Sequence, residues 1–179
     1  MKATGIVRRI DDLGRVVIPK EIRRTMRIRE GDPLEIYTTK EGEVIFKKYS
    51  LLGGLEDFAA QFCDTLTRST DFTAAITDRD SIIAVAGAPK RELLGKTISE
   101  TLEKLMEQRK VWSWEEGGIP VPVCMGVEGY FAAVAAPILC AGDVLGLVLF
   151  LSDEAVAAGE TEHKLAQTVA AFLGKNLEG

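Results

Sequence analysis

The sequence predicts an α+β protein in two domains, on three observations. Charge is split along the chain: residues 1–50 carry twelve Lys and Arg against eight Asp and Glu, a net of +4, and residues 51–179 carry ten against nineteen, a net of −9. The first fifty residues alternate short β-branched runs with turn residues. Beyond them the order is helix, strands, helix, strands, helix, which gives a central antiparallel sheet flanked by helices. An apolar share of 46% with 27% charged residues belongs to a globular chain rather than a disordered one.

In chain order, residues 5–10 read as a first strand that turns at Asp11-Asp12-Leu13-Gly14, and Arg15 to Ile18 as a second. Pro19 has no N–H and a fixed φ, so it ends the ladder and opens a short helix from Lys20 to about Met26. On that helix Ile22 and Met26 share one side, and Lys20, Arg23, Arg24 and Arg27 fall on the opposite half. "PLEIYTT" and "EVIFKKY" make a closing hairpin. Some four strands and one short helix cannot bury a core, so the first domain is expected to be a dimer with interleaved strands. Tyr49 to Gly54 marks the boundary, giving domains at 1–50 and 55–179 with a linker at 51–54.

In the second domain, Leu55, Phe58, Ala59, Phe62, Cys63 and Leu66 fall on one helical face. Residues 72–77 and 81–85 read as strands, and residues 99–108 as a helix capped by Thr97 or Ser99. Residues 111–131 are turn-rich. Trp112 and Trp114 share a side if that stretch is extended, facing a core, an interface or a ligand. The run 132–151 contains one charge, but Pro137 and Ala141-Gly142-Asp143 divide it into two strands of a hairpin, so no membrane partner is expected. A helix over about 160–177 closes the domain.

Basic charge concentrated on one end of an acidic chain points to a polyanion. The candidates are Arg8, Arg9, Arg15, Lys20, Arg23, Arg24 and Arg27, which read either as a solvated basic face or as a surface for double-stranded DNA, whose phosphates and guanine edges arginines can meet. No catalytic constellation stands against this reading. There is no phosphate loop, G-x-S-x-G elbow or H-E-x-x-H, so no enzyme activity and no cofactor are expected. His163 has no second histidine beside it and reads as an exposed helix position. Cys63, Cys124 and Cys140 lack zinc spacing; they read as buried thiols in a reducing cytoplasm, and no metal is expected.

The TGIVR opening, the D-x-L-G-R-V-V-I-P core, the E-I-R-R helix and the closing E-I hairpin resemble the DNA-binding domain of the AbrB transition-state regulators. The resemblance implies a swapped-hairpin β-barrel dimer, DNA contacts by Arg8, Arg15, Arg23 and Arg24, and a regulator that activates or represses genes of the sporulation stage. One departure is Arg27, where many members have Gly. The strand-turn-strand at 72–85 and the Pro137…Gly142…Gly146 hairpin resemble a GAF domain, which implies further oligomerisation, to a homotetramer, and sensing of an unidentified small molecule. Antitoxins of the MazE type share the swapped-hairpin fold and give the alternative function, neutralisation of a partner protein. A folded domain in place of a short acidic tail counts against it.

Overall fold

The computed structural model describes residues 5–178, so Thr4 of the TGIVR motif and Gly179 lie outside the described residues. The chain divides into two compact units, one ending at Tyr49 and the other beginning at Ser50.

In the first unit, α1 (Lys20–Thr25) follows Pro19, and β1 (Leu34–Thr38) pairs antiparallel with β2 (Val44–Lys48). Two predicted strands need correction. Among the described residues, 5–10 and 15–18 belong to no ladder. A strand needs a neighbour for its N–H and C=O groups, and the described residues of this unit form only the two-stranded β1–β2 sheet. The described residues of the unit also lack a core. Pro19 is the one buried residue among those described, and Val7 is 90% exposed, Leu13 75% and Val17 69%. Apolar side chains left this bare mark a surface built to be covered.

The second unit is a five-stranded antiparallel sheet in the order β4-β3-β7-β6-β5. Its strands are β3 (Thr73–Thr77), β4 (Ile82–Ala86), β5 (Trp112–Ser113), β6 (Phe131–Cys140) and β7 (Asp143–Ser152). On one face α2 (Glu56–Ser69) and α5 (Glu160–Leu177) close over Val148 and Phe150. On the other, α4 (Glu100–Glu107) and the segment around Val121 and Val123 close over Leu147, Leu149 and Leu151. Central strands covered on both faces read as continuous apolar sequence. That explains the membrane-like composition of 132–151, and no helix among the described residues is long and apolar enough to cross a membrane. Leu52 is buried with the α2–α5 core.

Ser99 caps α4, its Oγ accepting from the Leu102 N–H at 3.0 Å. α3 (Lys90–Leu93), a single turn after Pro89, has no counterpart among the elements expected from the sequence. Trp112 packs against the α4-side core, whereas Trp114 Nε1 donates to the Gly118 carbonyl at 3.2 Å.

Two glycines allow backbones to approach closely. A Cβ on Gly146 of β7 would lie 1.9 Å from the Thr77 carbonyl oxygen of β3, and one on Gly174 of α5 would lie 2.0 Å from that of Leu139. The first sits where the buried Thr77 Oγ1 accepts from the Leu147 N–H at 3.1 Å.

Candidate nucleic-acid interface

The basic residues of the first unit are held by two local devices. The first is the turn between the candidate arginines. Asp11 accepts from the Leu13 N–H at 3.0 Å and the Arg15 N–H at 2.8 Å through Oδ1, and from Arg15 Nε at 2.7 Å through Oδ2. The Gly14 N–H donates to the Asp11 carbonyl at 2.9 Å, and the Asp11 N–H to the Arg15 carbonyl at 3.0 Å. The Arg15 N–H, and after it the Arg15 guanidinium, holds the Asp11 carboxyl below the usual carboxylate range. Asp11 therefore positions Arg15. Sequence reasoning missed this role, although an Asp two and four residues ahead of the N–H groups it captures is a recognisable turn signal.

The second device is the end of α1. Ile28 N–H donates to the Arg23 carbonyl at 2.8 Å and Arg27 N–H to the Arg24 carbonyl at 3.3 Å, the paired bonds of a Schellman cap. The cap needs a left-handed residue, and here it is Arg27, at φ 51°. A side chain there costs about 1 kcal/mol relative to glycine. We expect Arg27→Gly to steady the helix end, with amide exchange at Arg27 and Ile28 slowed about fivefold in the full chain; unchanged exchange would show that other contacts fix this conformation.

Arg8, Arg9, Arg15, Lys20 and Arg24 are exposed, while Arg23 and Arg27 are half-buried. The unit thus carries five exposed cations within seventeen residues of chain, on the helix, the turn and the extended segment before it, Arg15 among them held by Asp11. Such a set suits phosphate oxygens, and its arginines also suit guanine edges.

The remaining chemistry-bearing residues sit in the second unit. All three cysteines are buried and free. Burial pushes the Cys63 thiol up to about 12 and the Cys124 thiol up to about 11, so neither is a nucleophile at neutral pH. His163 is half-buried rather than exposed, because its Nδ1 lies 2.9 Å from Ser113 Oγ across the α5–β5 junction. Among the described residues no group of three or more His, Cys, Asp or Glu side chains could hold a metal ion.

A family model described as stage V sporulation protein T C-terminal, transcription factor, matches residues 54–178. Stage V sporulation protein T of Bacillus subtilis strain 168 is 50% identical over 179 residues, spanning 99% of this chain and 99% of that protein. The chain belongs to the stage V sporulation protein T family. Its first unit is matched over residues 7–50 by the model for antidote-toxin recognition by the bacterial antitoxin MazE. Over 49 residues it is 63% identical to the transition state regulatory protein AbrB of the same organism, covering 27% of this chain and 50% of that one. The second unit has the GAF fold. The GAF domain of an Acinetobacter phosphoenolpyruvate-protein phosphotransferase superposes with a TM-score of 0.56 at 13% identity, covering 73% of this chain and 84% of that one.

Proposed function

We propose that the chain is a DNA-binding transcriptional regulator of sporulation-stage genes, acting in the cytoplasm by binding and not by catalysis. The observation that carries this is the full-length identity to a sporulation transcription factor, joined to a basic first unit on an acidic body. Arg8, Arg9, Arg15, Lys20, Arg23, Arg24 and Arg27 line the DNA, in a dimer whose first units supply each other's missing strands. The bare apolar side chains of residues 6–17 support that pairing. Fluorescence anisotropy on promoter-length duplex DNA tests the reading: affinity that falls steeply with salt supports it, and weak, salt-insensitive binding removes it.

The dimers pair again through their GAF units into a tetramer. Support comes from Phe58, Phe62 and Phe172, which meet across α2 and α5 with ring centroids 5.0 to 6.1 Å apart, Phe172 remaining 48% exposed. We expect the chain to sediment as a tetramer at micromolar concentration and Phe172→Glu as a dimer; a tetrameric Phe172→Glu protein would place the contact elsewhere. The antitoxin alternative has the match over residues 7–50 in its favour, but that match stops short of the folded domain that makes up the rest of the chain.

A further inference from the structure

A cavity of about 600 Å³ opens on the α5 side of the sheet, between α5, β6 and the segment that links α4 to β5. That volume lies within the ordinary range for small-molecule sites. Its apolar part is made by Val111, Ala136, Pro137 and Leu139, with Ala170 and Ala171 of α5. Its polar part carries three cations, Arg109, Lys110 and Lys175, with His163, Gln167 and Glu178 beside them. Residues 51–179 hold ten cations against nineteen acids. Three of those ten border one cavity, and among the described residues none of the three has an ion-pair partner. The acid that also lines it, Glu178, is engaged, its Oε1 accepting from the Ala141 N–H at 2.9 Å.

Two further features fit a site shaped for a ligand. Arg109 ends α4 in the left-handed region at φ 56°, its N–H donating to the Met106 carbonyl at 3.1 Å, and this turn starts the cavity-lining run of Arg109, Lys110 and Val111. Ser113 Oγ occupies His163 Nδ1, which leaves Nε2 as the ring nitrogen able to face a ligand. Arg109 also borders a smaller cavity of about 240 Å³ with Glu107 and Asp143, so the charge left wholly to the larger one is that of Lys110 and Lys175.

We propose that this cavity binds an organic anion, a carboxylate or phosphate group carried on an apolar body of small-molecule size. The lysines and Arg109 hold the anionic head by charge-assisted hydrogen bonds, and the valine, proline, leucine and alanine surface takes the body. This gives a location and a ligand class to the sensing role, and rests on reading the GAF unit as a sensor. Calorimetric titration of the full chain with octanoate and with phenyl phosphate tests it, with octanamide as the uncharged control. We expect one or both acids to bind and octanamide to fail. Lys110→Gln/Lys175→Gln should weaken the acid at least tenfold, while Lys110→Arg/Lys175→Arg keeps it and the melting temperature is held in both. Preference for octanoate identifies a carboxylate ligand, and preference for phenyl phosphate a phosphate ligand. The proposal falls if neither acid binds at millimolar concentration, if octanamide binds equally, or if the glutamine pair changes nothing. DNA anisotropy with and without the bound acid separates the two readings: unchanged DNA affinity beside confirmed binding removes the sensing role and leaves the site standing.

Discussion

Arg23→Ala/Arg24→Ala should abolish tight DNA binding in a protein that still folds. The proposed dimer loses four guanidinium groups. At about 1 kcal/mol each, the low end for such contacts, the loss is about 4 kcal/mol, or roughly a thousandfold in affinity. If all four contact phosphates, the slope of log affinity against log salt should fall in magnitude by about 3.6. The fold should survive for specific reasons. The Arg23 and Arg24 carbonyls that close the Schellman cap remain in the alanine variant. Arg23 Nε is buried with no hydrogen-bond acceptor among the described residues, so truncation breaks no bond there. The lost favourable charge at the helix end costs about 0.5 kcal/mol per residue and alanine propensity offsets part of it. A folded double mutant with unchanged affinity and salt slope would move the DNA contacts off α1.

Gly146→Ala should be the most damaging conservative change in the second unit. The added methyl meets backbone, 1.9 Å from the Thr77 carbonyl oxygen and 2.8 Å from its carbon, so no rotamer change relieves it. β3 and β7 would have to part at the point where Thr77 Oγ1 receives the Leu147 N–H. We expect a loss of about 4 kcal/mol or more, the range reserved for disrupted cores, and a melting temperature lower by about 15 °C. Gly54→Ala is the control, since a Cβ there meets nothing within 4 Å. It should leave the melting temperature near that of the parent chain. A Gly146→Ala protein as stable as Gly54→Ala would mean the two strands are not so closely apposed.

The long periodic elements were legible because burial imposes a period on them. Leu55 to Leu66 announced α2, and the last helix was readable over 160–177. The hairpin of β6 and β7 is visible because Pro137 and Gly142 punctuate the apolar run. Short elements lacked that signal: α3 spans four residues and β5 two, too few for any period to show. Residues 5–18 have strand-like sequence, and it is the neighbour, not the pattern, that this chain does not supply. The basic cluster was legible as composition. Its support was not, because the turn at Asp11-Asp12-Leu13-Gly14 shows in the sequence without the bonds from the Asp11 carboxylate that hold Arg15. The pairing of Ser113 with His163 joins residues 50 apart in sequence, and only the folded sheet brings them together. The cavity beside them was hidden for the same reason.

The coreless first unit has a consequence for how the protein switches on as it accumulates. If its strands are completed only by a second copy, the DNA-reading surface is assembled by a second-order process, and its amount rises with the square of chain concentration while protomers predominate. Occupancy of a binding site would then show a threshold in protein level without any effector. In a dilute titration, below the dissociation constant of the pair, the apparent midpoint would report assembly of the reader instead of its affinity for DNA.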